Sequence, residues 1–324
     1  MRAIVYQKYG LTNVLHLTEL PLPVPKANEV LIRIHAASVN SWDWDLLRGK
    51  PFIVRLAGGG IIKPKLPVLG ADVAGVVESV GQKVKQFKCG DAVFGDLSSA
   101  RWGGFAEFVS VPENLLTLKP PNVSFEQAAA LPQAGVMAWQ GIHDFRKLQT
   151  GQKVLINGAA GGVGTYAVQL AKMLGAEVTA VDRGDKLEIL KLLGADHVID
   201  YTMKDFTQTG DQYDLVLDVV ARRSLADYKR ALLPGGVCVL IGGSTSTILQ
   251  FMFFRTLASM TDSRKLRILM HQPNKDLTVL MDLLRAGRIK SIIHKCFPLS
   301  QVPEALQCIG NGEAIGKIIV QVPL

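Results

Sequence analysis

Three glycines at Gly161, Gly162 and Gly164 follow a short apolar run, Lys153–Asn157, and precede a segment with helical apolar spacing. A strand-to-helix turn without side chains at Gly161 and Gly162 lets backbone amides approach a phosphate. The free N–H groups and positive dipole end of the following helix favour the same anion. Measured against the Gly-x-Gly-x-x-Gly fingerprint, Ala159 takes the first glycine's place, while Gly161 and Gly164 keep the other two. Asp182 closes the next apolar strand about 20 positions on, where an acid reaches a ribose hydroxyl. Residues Gly158, Ala159, Ala160, Gly161, Gly162, Val163, Gly164 and Asp182 thus point to a bound dinucleotide. Asp182 favours NAD(H) by accepting from the 2′-OH, whereas Arg183 and Lys186 offer partners to the 2′-phosphate of NADP(H). Both cofactors stay open, with NAD(H) preferred.

A second loop, Ile241-Gly242-Gly243-Ser244, ends another buried strand. Ligands of such sheets bind beyond the carboxyl ends of the strands, so Ile241, Gly242 and Gly243 are placed against the nicotinamide. Cys89, Cys238, Cys296 and Cys308 lie far apart and include no Cys-x-x-Cys pair, which argues against a disulfide framework and a thiolate metal lobe. The net charge of +8 comes from dispersed clusters such as Arg222-Arg223 and Arg264-Lys265-Arg267, with no accompanying recognition motif. Solvated faces and attraction of a phosphate-bearing cofactor explain it, and no nucleic-acid partner is expected.

The elements that must hold these residues fall into two patterns. Up to about residue 120, short strands such as Arg2–Gln7, Glu29–Ala37, Ala74–Val80 and Phe105–Val111 are punctuated by Gly and Pro, the pattern of an antiparallel barrel-like domain. From about Ser124, helices and near-continuous apolar strands alternate, which requires a parallel sheet covered on both faces. The fold expected is therefore α/β, a doubly wound parallel sheet plus an antiparallel β-barrel. Its boundaries are set at 1–123 with 263–324 for the barrel and 124–262 for the dinucleotide-binding domain. Met1 leads straight into a strand, and Ile248–Met260 is too short to span a bilayer and is interrupted by Arg255. That segment is read as a core helix or subunit interface. No membrane contact and a cytoplasmic location are expected.

Several motifs in one order resemble a family. Asn157–Gly164, Gly194-Ala195-Asp196-His197-Val198-Ile199-Asp200-Tyr201, Pro234-Gly235-Gly236 and Gly70-Ala71-Asp72-Val73-Ala74-Gly75 are similar to the quinone oxidoreductase, or zeta-crystallin-like, branch of the medium-chain dehydrogenase/reductases. The resemblance runs nearly end to end. It implies a GroES-like barrel, a Rossmann domain and a homodimer. It also implies reduction of a quinone or an α,β-unsaturated carbonyl by NAD(P)H. Asn40-Ser41-Trp42-Asp43-Trp44 looks like the zinc-free members' Asn-x-x-Asp segment, which lines the nicotinamide side of the cleft. On that basis Asn40 and Asp43 are the expected catalytic residues, Asn40 holding the carboxamide or a substrate oxygen and Asp43 orienting a lysine or a water. A capping role for Asp43 is the alternative. Tyr201 and Lys317 join Asn40 among the expected cofactor contacts.

Zinc-dependent relatives carry a cysteine where this chain has Asn40, and Gly-His-Glu where it has Gly70-Ala71-Asp72. Without thiolate or imidazole at those positions no zinc site can be assembled, and no metal is expected. No tyrosine lies between Tyr9 and Tyr166, so the proton is expected from water. Alcohol dehydrogenation and a non-catalytic dinucleotide-binding role remain the alternative functions.

Overall fold

A computed structural model describes residues 1–56, 60–243 and 263–322. The chain divides into two compact units, Met1–Gln133 with Pro273–Gly287 and Ser291–Leu324, and Ala134–Gln272 with Arg288–Lys290. The apolar Ile248–Met260 segment, expected to be a core helix or interface, lies outside the described residues.

In the first unit β1 (Arg2–Val5) pairs antiparallel with β2 (His16–Glu19). The main sheet is built around β3 (Glu29–Val39), on which Val30, Ile32 and Ile34 are buried. β3 pairs antiparallel with β4 (Asp72–Val80), and β4 with β5 (Ala92–Asp96). β6 (Phe108–Pro112) lies on β3, and β7 (Thr117–Leu118) on β5. β6 begins later than expected because Phe105 is drawn into the core. There its amide donates to Leu69 at 2.9 Å and its carbonyl accepts from Ile4 at 2.9 Å.

The second unit carries six parallel strands: β8 (Lys153–Asn157), β9 (Glu177–Asp182), β10 (His197–Asp200), β11 (Tyr213–Asp218), β12 (Leu232–Leu240) and β13 (Lys265–Ile268). Their order is β10-β9-β8-β11-β12-β13. That is the doubly wound order whose chain direction switches between β8 and β11, where a dinucleotide binds. The residues facing that point are apolar and wholly buried, Leu155 and Ile156 on β8, Val216 and Leu217 on β11. Burial on both faces is what a parallel sheet demands.

The chain then returns to the first unit. β14 (Ile293–Pro298) pairs parallel with β15 (Lys317–Gln321), and β15 pairs antiparallel with β3. Opposite Ile318 stands Val39, and opposite Ser38 stands Asp72. This register brings Lys317, Asn40 and Asp72 to the same end of three neighbouring strands.

Two expectations need correction. The domain boundaries shift: the Phe125–Ala130 helix belongs to the barrel unit because its buried Ala128, Ala129 and Ala130 pack on β3 and β4. Lys265–Ile268, expected in the barrel, extends the parallel sheet instead by pairing with β12. The Asn40–Trp44 segment opens a helix, Ser41–Arg48, with Asn40 as its N-cap and Gly49, at φ 58°, closing it in the left-handed region. An Asn followed three residues later by an acid is an N-terminal signature that would have located it.

Candidate active site

Asn40 and Asp43 are joined by the helix they start. The Asn40 amide donates to Asp43 Oδ2 at 2.8 Å, and the Gly70 amide donates to Oδ1 at 2.8 Å. Both oxygens of Asp43 therefore serve the backbone, and the side chain is wholly buried. Burial raises its pKa to about 7, against the lowering pull of those two N–H groups. Of the two readings, the capping role is the one seen. Asp43 is wholly buried and braces the segment through these two bonds.

Asn40 is held from two sides. Its Nδ2 donates to Asp72 Oδ2 at 3.0 Å, and its Oδ1 accepts from Lys317 Nζ. Asp72 also accepts from Ser38 Oγ at 2.9 Å and from the Gln133 amide at 3.1 Å. Lys317 donates to Val39 O at 3.3 Å and stands 3.5 Å from Asp72 Oδ2. Burial raises the Asp72 carboxyl and lowers the Lys317 ammonium, while each of the pair pulls the other back toward its charged form. Lys317, expected at the cofactor, is enclosed within the protein with only 3% of its surface exposed. Sequence reasoning passed over Asp72 and Ser38, and the acid inside the otherwise apolar Gly70–Val77 run was the available signal.

In the second unit β8 ends at Asn157 and the chain turns through Gly158 at φ 76°. The Gly158 and Ala159 amides donate to Val181 O at 3.0 and 3.1 Å, which ties the turn to β9. The Gly162–Met173 helix begins with Gly161 as its N-cap, and its first helical bond runs from Thr165 N to Gly161 O at 3.0 Å. The amides of Gly162, Val163 and Gly164 precede that bond and so lack intrahelical acceptors. A Cβ placed on Gly164 would come within 2.3 Å of Gly158 O, so that glycine is required by packing. A Cβ on Gly161 would meet nothing nearer than Gly158 O at 3.4 Å. Its lack of a side chain answers no need of the chain itself and suits a pyrophosphate laid against the turn. The cradle therefore fits a dinucleotide.

Asp182 accepts from the Ala160 amide at 2.8 Å and from the Arg183 amide at 2.9 Å. Arg183 is locked on Asp185 through bonds of 2.6 and 2.8 Å. Lys186 is buried and engaged within the protein, not a solvated base at a helix start. Tyr201 is half exposed, and its amide donates to Asp182 O at 3.1 Å. Ile241 donates to Asp218 O at 2.9 Å, and a Cβ on Gly242 would come within 2.7 Å of Val219 O, so the Ile241–Gly243 segment lies against the end of β11. Asp218, the acid that closes β11, organises that end. It accepts from Asn157 Nδ2 at 2.9 Å, from the Val220 and Ala221 amides at 2.9 and 2.7 Å, and from Tyr228 OH at 2.8 Å.

A barrel unit carrying a buried Asn–Asp–Lys cluster and a doubly wound unit carrying a phosphate cradle are the two parts of a medium-chain dehydrogenase/reductase. Residues 26–121 match the alcohol dehydrogenase GroES-like domain and residues 193–320 match the zinc-binding dehydrogenase model. The chain is 35% identical to the chloroplast envelope quinone oxidoreductase homolog of Arabidopsis thaliana, over 99% of this chain and 98% of that one. It is 33% identical to the NADPH-dependent alkenal/one oxidoreductase, chloroplastic, of the same plant, over 99% of this chain and 79% of that protein. The solved quinone oxidoreductase of Coxiella burnetii superposes with a TM-score of 0.88 at 30% identity, covering 100% of this chain and 99% of that one. The chain belongs to the quinone oxidoreductase branch of the medium-chain dehydrogenase/reductases, and so to the NAD(P)H-dependent oxidoreductases.

The cytoplasmic expectation is overturned here. Relatives covering 99% of the chain carry chloroplastic or mitochondrial names, so organelles replace the cytoplasm as the setting the family points to. Among the described residues no helix is long and apolar enough to cross a membrane. The second family model names zinc, but the donor set does not suit it. Among the described residues no three His, Cys, Asp or Glu side chains are grouped to hold a metal ion. At the positions of the lost ligands stand Asn40, Ala71 and Asp72, and Asp72 is paired with the Lys317 ammonium at 3.5 Å, a donor set without the nitrogen and sulfur ligands zinc takes.

Proposed function

We propose that the protein reduces quinones or α,β-unsaturated carbonyls with NADH and without a metal. The observation that carries this reading is the fixed Asn40 carboxamide, whose Nδ2 has one N–H left after the bond to Asp72. That N–H supplies a donor for the oxygen on which charge develops as hydride reaches a β-carbon or quinone ring carbon. A bound nicotinamide supplies the hydride. The chain's amides at Gly162, Val163 and Gly164 hold the pyrophosphate, and Ile241, Gly242 and Gly243 back the nicotinamide. Asp43 and Asp72 are sealed within the protein, so water delivers the proton.

The preference for NADH follows from Asp182. Two of its lone pairs hold backbone amides, which fixes a carboxylate at the end of β9 where it repels a 2′-phosphate. Arg183 would have to leave its surface pair with Asp185 to meet that phosphate, and Lys186 is buried. The name of the alkenal/one relative points the other way, to NADPH. Oxidation of NADH and NADPH against a panel of quinones, enals, enones and simple aldehydes tests the reading, with and without a chelator. Turnover of quinones or enones with NADH, insensitive to the chelator, is the expected result. Turnover confined to alcohols and aldehydes, or none at all with tight cofactor binding, would replace it.

A further inference from the structure

Lys317 has no role in the function just described, yet few arrangements in the molecule cost more to build. A lysine ammonium inside a protein loses its hydration and is retained only where acceptors replace it. Here three acceptors meet three N–H bonds: Val39 O at 3.3 Å, Asp72 Oδ2 at 3.5 Å and Asn40 Oδ1. A neutral amine would bring only two N–H bonds and turn a lone pair on the third acceptor. The match thus requires the cation.

The consequence falls on Asn40. Its amide has two nearly isosteric orientations, differing by exchange of O and NH₂. With an ammonium at one end and the Asp72 carboxylate at the other, only one of them satisfies both neighbours. Turned over, the amide would set NH₂ against the ammonium and oxygen against the carboxylate. The strand register delivers both partners: Lys317 opens β15 and Asp72 opens β4, on either side of the end of β3. Asp43 supplies the third constraint by accepting from the backbone N–H of Asn40, which holds the residue in place at the start of its helix.

We infer that Lys317 and Asp72 form a positioning pair that fixes the orientation of the Asn40 carboxamide, so that its remaining N–H always faces the reacting oxygen. The inference rests on the proposed role of Asn40 and assigns Lys317 to orientation, away from the cofactor contact expected of it.

A double-mutant cycle separates this from a structural role. Lys317→Met, Asn40→Ala and the combined variant are assayed with NADH and whichever quinone or enone the wild type turns over fastest. Loss of the oriented donor should lower kcat by about tenfold to a hundredfold in Lys317→Met, with KM for NADH unchanged. The combined variant should be no slower than Asn40→Ala alone, because Lys317 acts only through that amide. Losses that multiply, or a raised KM for NADH as the main effect, would overturn the inference. If Asn40→Ala alone keeps full activity, the proposed role of Asn40 fails first and the pair has nothing to orient. Because Lys317→Met leaves a buried carboxylate unpaired and can unfold the unit, Lys317→Met with Asp72→Asn removes both charges and is carried through the same cycle. The same non-additivity is expected there, and multiplying losses would again overturn the inference.

Discussion

Asp182 holds the Ala160 amide through one carboxylate oxygen and the Arg183 amide through the other, which leaves lone pairs on both for a ribose diol. Replacing it by Asn keeps an oxygen for Ala160 but removes the charge. A hydrogen bond to a charged group is worth roughly 1.5–3 kcal/mol, and each 1.4 kcal/mol is about tenfold. Asp182→Asn should therefore shift the ratio of catalytic efficiencies toward NADPH by about tenfold. A wild type that already prefers NADPH, or a ratio that does not move, would show that the carboxylate is a turn brace alone. This residue and the glycines around it were legible from spacing, because phosphate binding at a helix start restricts residue type locally. The Asn40 partners were not. Lys317 lies 277 positions from Asn40, and no local pattern announces a contact made by strand register.

At the scale of the element, Gly161 and Gly164 sit in one turn under different demands. Gly161 has φ −76°, open to any residue, and free space where a Cβ would stand. Gly161→Val should thus fold, losing about 1 kcal/mol of stability at the N-cap, while NADH affinity measured by fluorescence titration falls at least tenfold. Gly164→Ala should behave in reverse. Its Cβ would press on Gly158 O from 2.3 Å, so thermal unfolding should drop by the equivalent of roughly 1–3 kcal/mol. Equal stability losses in the two variants would mean that the loop is shaped by packing alone. The parallel strands and their helices were readable because doubly buried strands leave long apolar runs. The Ser41–Arg48 helix escaped because Trp42, Trp44 and the two aspartates mask its periodicity, although its cap residues were in view.

Across the whole molecule the buried cluster should set how stability responds to pH. Asp43 titrates near 7 in the folded protein, against about 3.9 in an unfolded chain. Between those values the folded state binds more protons than the unfolded one, so this group's contribution to stability falls as pH rises from about 4 to 7. Asp72, raised on β4, has the same sign, and Asp96 of β5 adds to its raising. Lys317 on β15 is lowered, so its contribution is present above the unfolded lysine value and is lost as pH falls through its folded value. Paired surface acids such as Asp196 and Asp227, lowered by their hydrogen bonds, work the opposite way to Asp43 and must be subtracted. Asp43→Asn makes that subtraction, since it removes one titration and leaves the others. The variant should lose stability overall, because one amide oxygen now faces both the Asn40 and Gly70 N–H groups. Its urea midpoint should nonetheless fall less than the wild type's between pH 5 and pH 7. Equal falls in the two proteins would place the Asp43 proton elsewhere, and a steeper fall in the variant would reverse the sign of the argument.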